Sequence, residues 1–358
     1  MNNELTNNIG AEGKKYTLSE SEIAPFVVTY LDSGRSYLID ENGNISEYVD
    51  ISKDVKIGQY VAYNPTIADK NGTPVGSNKL TYTSPTGSAK EHGNGYTSTE
   101  EGGGQKFTAT ASTKWKVLDI GMGTVTLISA ESIKKDETTQ DSGNFVMRGA
   151  IGYLYAEREL NEICKIFGYG YGADTSQVTK YSYGGPVDGK LTEEITGSGA
   201  RSMTIEDINK KAGITEADYT TLNSNYGSTT NPPSNVYYPT VTGDSTTGKS
   251  SSPGVKNLKV TSYNYDKSKI ENAATQNILF NVKYWLASRC INTGSSGATF
   301  CVCGVNGDGA YAYHLCAGYS FSLDELAYTF AVRPVVTLKS DVIDISANYD
   351  AENGWKLK

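Results

Sequence analysis

The apolar residues of this chain occur in short segments that are separated by stretches rich in glycine, serine and asparagine. This pattern is the sequence feature that most limits the possible folds. The clearest case is residues 115–130, where two apolar runs flank Gly121-Met122-Gly123 and predict a β-hairpin. Further apolar runs predict strands late in the chain, over residues 284–288, 298–305, 310–315 and 331–338. Because strands outnumber helices in this pattern, we expect an α+β fold with long irregular insertions.

Two segments have helical periodicity. Over residues 153–167 apolar side chains recur at roughly helical spacing, with charged residues at the other positions. A second helix is predicted to begin at Thr204, where Asp207 three residues later gives a weak capping box. The sequence therefore predicts two helices and a small antiparallel sheet, and leaves open a further short helix after residue 215.

The first 50 residues predict a small β-rich unit. Turn signals at residues 32–35 and 41–44 flank the apolar run 37–39, and the second turn has an Asn-Gly pair that suits a tight hairpin. We expect an N-terminal segment over residues 1–52 and a larger domain over residues 53–358.

Three stretches are poor in apolar residues and rich in glycine, serine, threonine or asparagine. Residues 71–110 predict a long surface loop or insertion, and residues 168–200 and 222–256 are also loop-like.

The composition limits the classes of partner. Hydrophobic residues make up 37% and charged residues 20%, which is typical of a globular chain. The net charge is −8 and basic residues occur at most in pairs, which argues against a nucleic-acid partner. No apolar stretch approaches the ~18 residues of a membrane-spanning helix. Residues 1–4 lack the pattern of a signal peptide, which leaves both a cytoplasmic location and the prior removal of an anchor open.

Four of the five cysteines lie between residues 290 and 316. An odd, clustered set does not suit a disulfide framework. The only close pair is Cys301-Val302-Cys303, with His314 nearby, whereas zinc sites use paired Cys-x2-Cys or Cys/His sets. These two cysteines with His314 are also the only candidate nucleophile and base. We predict no metal site and no enzyme.

Residues 290–328, here called the window, have an unusual composition. They contain no Lys, Arg, Gln, Met, Trp or Pro, and Glu325 is their only glutamate. Lys, Glu, Gln, Met and Trp account for 59 of the 358 residues, so an even spread would place about six of them in the window. Two strands and their turns would disfavour Lys and Glu anyway, but they would not explain four cysteines.

The segments that flank the window, YWLASR before it and AVRPVVTL after it, resemble the C-terminal part of C-type-lectin-fold proteins of the formylglycine-generating-enzyme type. The chain looks most like the variable proteins of diversity-generating retroelements, in which an error-prone reverse transcriptase mutates adenines. Asn codons that end in C then become NNC codons, which cannot encode Lys, Glu, Gln, Met or Trp. The window fits this rule at 38 of 39 positions, and Glu325 would be a fixed position.

This resemblance implies that the window is a ligand-binding surface and that its cysteines are incidental products of mutation. Trp285 and Arg289 on one side, and Arg333 on the other, are expected to hold it. Tyr311, Tyr313, Tyr319 and Phe321 are the expected aromatic anchors. The full set of expected contact residues is Cys290, Asn292, Gly294, Gly297, Thr299, Cys301, Cys303, Asn306, Asp308, Ala310, Ala312, Tyr313, His314, Cys316, Tyr319, Phe321, Leu323 and Asp324.

Alternation along a strand predicts which of these residues share a face. One face is expected to carry Ala310, Ala312, His314 and Cys316, and the opposite face Tyr311, Tyr313 and Leu315. Cys301 and Cys303 are expected to share a face with Thr299.

Near the N-terminus, FVVTYLDSGRSYLIDENGNISEYVDI resembles segments that follow the hydrophobic helix of pilin-like surface proteins. That helix is absent from the sequence, so we expect an extracellular or cell-surface protein whose anchor has been removed. The partner is an unknown protein or glycan. Calcium is a candidate by analogy with lectins, although no Asp-x-Asp-x-Asp loop occurs.

Two other functions remain open. One is a lectin or adhesin of fixed specificity on the same fold. The other is an oxidase of the formylglycine-generating type that uses Cys301 and Cys303, although their spacing departs from the pattern of that family.

Overall fold

The computed structural model describes residues 4–7, 14–17, 25–29, 35–40, 43, 45–65, 81–84, 104–133, 144–183, 191–214, 236–237, 249–250, 265–293, 297–319 and 323–358. These residues form a mixed α+β structure made mostly of strands, as the sequence predicts. No helix in these ranges is long and apolar enough to cross a membrane.

The helices are α1 (Gly149–Lys165), α2 (Ile205–Lys211) and α3 (Ala273–Phe280). The strands are β1 (Glu4–Asn7), β2 (Lys14–Thr17), β3 (Phe26–Thr29), β4 (Ser36–Ile39), β5 (Ile45–Tyr48), β6 (Tyr60–Val61), β7 (Thr81–Thr83), β8 (Lys106–Thr108), β9 (Trp115–Ile120), β10 (Thr124–Ser129), β11 (Asn144–Arg148), β12 (Thr179–Tyr183), β13 (Leu191–Ile195), β14 (Ala200–Ser202), β15 (Val236–Tyr237), β16 (Lys249–Ser250), β17 (Tyr265–Asp266), β18 (Tyr284–Thr293), β19 (Gly297–Asn306), β20 (Gly309–Tyr319), β21 (Leu323–Glu325), β22 (Ala327–Ala331) and β23 (Pro334–Lys339).

The predicted capping box of α2 is confirmed. The hydroxyl of Thr204 accepts a hydrogen bond from the backbone N–H of Asp207, and the Asp207 carboxylate accepts one from the backbone N–H of Thr204 at 2.8 Å. Helix α1 begins four residues before its predicted start and ends two residues before its predicted end.

The prediction of two helices is wrong, because α3 is a third. Its N-cap is Asn272, whose side chain accepts from the backbone N–H of Thr275 at 2.9 Å. Eight residues make only about two turns, too few to show a helical period in the sequence. The further helix considered after residue 215 lies outside the described residues.

Small antiparallel sheets are present, but the prediction missed a larger sheet. The largest sheet has seven strands in the order β11-β22-β18-β19-β20-β17, with β21 paired to the edge of β20. Its strands β18 and β22 run parallel. Strands β18, β19 and β20 are also longer than their apolar runs, because main-chain pairing continues through small and polar residues.

A second sheet of five strands has the order β14-β23-β10-β9-β6 and contains the predicted hairpin of β9 and β10. The predicted N-terminal β unit forms the sheet β3-β4-β5. Leu38 of β4 packs so close to Gly123 that a Cβ at that glycine would collide with it, and the backbone at Gly123 has a positive φ of 76°. The N-terminal unit therefore contacts the β9–β10 turn.

All three predicted loop regions contain regular structure. Within residues 71–110, β7 pairs with β8 and Phe107 is fully buried. Within residues 168–200, β12 pairs with β13, and β14, which begins at Ala200, pairs with β23. Within residues 222–256, β15 pairs with β16. The strands in these regions were missed because they are two to five residues long and mostly polar.

The core lies on both faces of the seven-stranded sheet. Helix α1 packs on one face, where Leu154 joins Phe300 and Leu315 in one apolar cluster. Helices α2 and α3 lie on the other face, where Ile205 and Leu279 join a second cluster. The middle of β18–β20 is therefore enclosed on both sides.

Candidate ligand-binding surface

Strands β18, β19 and β20 form an antiparallel meander that carries most of the window. Strands β19 and β20 pair from Gly297↔Tyr319 at one end to Asn306↔Gly309 at the other. Ten residues of strand extend roughly 30 Å. The window therefore has two well-separated ends, and the expected contact residues do not form one continuous surface.

The first end, here called the turn end, is the connection between β19 and β20. It carries Asn306 and the exposed Asp308. The carbonyl of Asp308 accepts from the backbone N–H of Lys267 at 2.8 Å, and Gly309 pairs with Asp266 of β17.

The opposite end, here called the loop end, is where β18 connects to β19 and β20 to β21. Backbone register places Asn292 opposite Thr299, Gly297 opposite Tyr319, Gly318 opposite Leu323, and Ala317 opposite Asp324. Six of the expected contact positions are thus brought together at this end: Asn292, Gly297, Thr299, Tyr319, Leu323 and Asp324. The expected positions Gly294 and Phe321 lie outside the described residues.

Five expected contact residues are buried between the two ends. The side chains of Cys290, Cys301, Cys303, Ala310 and Cys316 are at most 3% exposed. They pack in the core in this structure and do not reach the surface. Ala312, Tyr313 and His314 are half-buried.

The predicted alternation fails at one position because β19 and β20 shift register between Phe300 and Cys301. Phe300 faces Cys316 whereas Cys301 faces His314, so Leu315 is an extra residue on β20. Leu315 and Cys316 both join the cluster on the α1 face, whereas Ala310 and Ala312 belong to the opposite cluster. Cys316 therefore does not share a face with Ala310 and Ala312, contrary to the prediction.

Trp285 fixes the start of β18 to the scaffold. Its indole N–H donates to the carbonyl of Phe145 on β11 at 2.8 Å. Its ring meets Phe330 edge-on, with centroids 4.6 Å apart, and Tyr313 at 6.0 Å. Tyr313 also packs against Tyr328 at 5.5 Å, so the half-buried Tyr328 belongs to this aromatic group although it was not among the expected contact residues.

Arg289 joins β18 to α1. Its Nε lies 3.4 Å from a carboxylate oxygen of Glu157, which also accepts from the backbone N–H of Arg289 at 3.2 Å. The guanidinium donates to the carbonyl of Leu154 and lies over the ring of Tyr153, 5.2 Å from its centroid. Arg289 is thus held immediately before the window begins.

Arg333 is buried on the other side of the window. It donates to the carbonyl of Ser129 at 2.6 and 3.1 Å, to the carbonyl of Ile278 at 2.7 Å and to the side chain of Asn281 at 3.2 Å. Among the described residues no carboxylate pairs with it. Burial lowers the pKa of Arg333, while the neighbouring Tyr284 opposes that shift. Its charge is therefore satisfied mainly by main-chain carbonyl groups.

Three of the buried cysteines meet on the α2 and α3 face of the sheet. Cys290 and Cys301 are directly opposite each other in register, and the Sγ of Cys303 lies 3.9 Å from the Sγ of Cys290. The Sγ of Cys301 also lies 3.9 Å from the hydroxyl of Thr299, which fits the predicted shared face. None of the five cysteines, all of which lie in the described residues, is in a disulfide bond.

The thiols of Cys290 and Cys301 are kept protonated. A hydrogen bond with Cys301 lowers the pKa of Cys290, but the hydrogen bond with Cys303 and burial outweigh it, and the net shift is well upward. The hydrogen bond with Cys290 and burial raise the pKa of Cys301 well above its usual value. Because the thiolate is the reactive form, this environment disfavours a nucleophilic role. Within the described ranges no group of three or more His, Cys, Asp or Glu residues is placed to hold a metal ion.

Comparison with known proteins yields no relative: no protein-family model, no curated protein and no solved structure matches this chain.

Proposed function

We propose that this chain is a ligand-binding surface protein of C-type-lectin-like fold, whose window is diversified by a retroelement and binds a protein or glycan at the loop end. One observation carries the proposal. The unusual composition of the window lies between Arg289 and Arg333, two residues that the scaffold holds tightly, and many of its expected contact positions converge at the loop end.

The contacts of Trp285 and Arg333 support a fixed scaffold that holds a variable window. Trp285 and Arg333 donate to the carbonyl groups of Phe145, Ser129 and Ile278, all of which lie outside the window. Main-chain acceptors stay in place when window side chains change. A rigid frame with replaceable side chains is the arrangement of an antibody-like binding surface.

The scaffold part of the proposal is supported by helix α1, which packs across the sheet that carries the window. The two segments that resemble the C-type-lectin group lie in β18 and across β22 and β23, next to the window on either side. The N-terminal β unit, which resembles the pilin-like segments, supports display at the cell surface.

The gene provides the decisive test. Asn, Asp, Tyr, Cys, His and Phe are each encoded by either a C-ending or a T-ending codon, so their third bases can be compared inside and outside the window. We expect C at nearly all such positions between residues 290 and 328, and mixed third bases elsewhere in the same gene. We also expect a near-identical template repeat and a reverse-transcriptase gene nearby.

Equal use of C-ending codons inside and outside the window would refute the diversification, as would a genome without the template. A lectin or adhesin of fixed specificity would then remain. A glycan array read with and without a chelator would test it.

A further inference from the structure

The thiols of Cys290, Cys301 and Cys303 are close enough to react with one another, and the proposed binding function does not use this chemistry. Cys290 lies between the other two thiols, opposite Cys301 in register and in contact with Cys303. All three are buried in the apolar cluster that packs against α2 and α3. Adjacent thiols on paired strands can be joined covalently if their backbones are at the right distance.

Backbone geometry separates the two possible partners of Cys290. Directly opposed residues of an antiparallel pair have Cα atoms about 4.5–5.5 Å apart, which is within the usual range for a disulfide. Diagonal neighbours are about 7–8 Å apart, at or beyond the limit of that range. Cys301 is opposite Cys290, whereas Cys303 is diagonal to it, so Cys301 fits better.

We propose that Cys290 and Cys301 form a cross-strand disulfide that closes the β18–β19 hairpin when the protein meets a small-molecule disulfide of the glutathione type. Each cysteine loses one hydrogen atom, one S–S bond forms between them, and the small-molecule disulfide is reduced to two thiols. Cys303 remains a free thiol beside the bond.

Burial determines when this bond forms. The two thiols are at most 3% exposed and their pKa values are raised, so an oxidant reaches them only when the hairpin opens or while the chain folds. Oxidation during refolding is therefore fast compared with oxidation of the folded protein.

The bond would have a defined mechanical effect. It ties β18 to β19 three residues before β18 ends at Thr293, close to the loop end. A tie at this place restricts movement of the end of β18 relative to β19, and pre-ordering a binding surface reduces the entropy lost on binding. Only this consequence for binding rests on the proposed function, because the disulfide itself depends on the thiol geometry alone.

The test begins with reduced full-length protein, unfolded in denaturant and refolded with a mixture of reduced and oxidised glutathione. Remaining thiols are then alkylated under denaturing conditions and counted by intact mass. We expect three alkylated cysteines instead of five, and a cross-linked peptide pair that contains Cys290 and Cys301. The oxidised form should also unfold at a higher temperature, since closing a loop of this length favours the folded state by about a hundredfold.

Matched variants identify the pair. Cys316→Ala removes another buried cysteine of the same sheet and should keep the cross-link, as should Cys303→Ala. Cys290→Ala and Cys301→Ala should each abolish it. Five alkylated cysteines in the refolded wild-type protein would overturn the proposal, and so would a cross-link between Cys290 and Cys303.

The wild-type peptide map decides the matter even if a variant does not fold. Failure of the codon test would remove the proposed diversification and leave the disulfide standing. A count of five alkylated cysteines would remove the disulfide and leave the proposed diversification standing.

Discussion

Arg333 is a buried cation that the scaffold stabilises through carbonyl groups. Replacing it with Met would leave the carbonyl groups of Ser129 and Ile278 without this donor in a buried site. We expect Arg333→Met to lower the free energy of unfolding by about 2–4 kcal/mol, measured by urea denaturation. Arg35→Met, at an exposed position, should change it by less than about 0.5 kcal/mol. Unchanged urea unfolding of Arg333→Met would show that these hydrogen bonds contribute nothing.

At the same scale, the sequence could indicate the residues that flank the window, but it could not indicate how deeply the window residues are buried. Arg289 and Arg333 stand out because they are the only charged residues of the two apolar segments that flank the window. The burial of Cys301 and Cys316 could not be predicted, because small residues suit both a surface and a core, and because the register shift at Phe300 breaks the alternation. Main-chain irregularities of this kind leave no trace in the residue pattern.

At the scale of single elements, the start of α2 depends on one carboxylate. Asp207 caps the helix through Thr204 and accepts two hydrogen bonds from Arg201, at 2.6 and 2.7 Å. Burial raises the pKa of Asp207, but Arg201 and Thr204 outweigh it and the net pKa is lowered. A carboxyl group with a lowered pKa in the folded state stabilises the protein above its unfolded pKa and loses that effect as the pH falls through the folded value.

We therefore expect the stability of the wild-type protein to fall below about pH 4 partly through this group. Asp207→Asn should lose about 2 kcal/mol at pH 7 and show a shallower loss between pH 4 and pH 2, measured by chemical denaturation at each pH. Glu194→Gln removes an exposed carboxylate that pairs with Lys180 and should leave the pH profile unchanged. Parallel pH profiles for Asp207→Asn and the wild type would contradict this role.

Some helices and strands could be predicted from their local sequence, and others could not. The hairpin of β9 and β10 and the capped start of α2 have strong local signals, a Gly-rich turn and a capping box. Strands β12 and β13 are polar and pair mainly with each other, so nothing in their composition distinguishes them from a loop. Their contacts with helix α1, which lies earlier in the sequence, cannot be inferred from the two strands alone.

At the scale of the whole molecule, the window combines a buried middle with two ends that lie roughly 30 Å apart. If diversification serves binding, change must be tolerated at the loop end and restricted in the middle, because the same strands form the core. A folded domain is stable by only about 5–15 kcal/mol, and a large or polar side chain in a packed site costs about 1–5 kcal/mol. Several changes in the middle would therefore exhaust that stability.

Two displayed libraries test this consequence. One randomises Asn292, Thr299, Tyr319 and Asp324 with NNC codons, and the other randomises Cys290, Cys301, Cys303 and Cys316 in the same way. We expect most members of the first library to resist protease as well as the parent protein, and most members of the second to be cleaved. Equal protease resistance in the two libraries would mean that the buried middle accommodates variation as readily as the loop end, and the binding surface would then have to be sought along the whole meander.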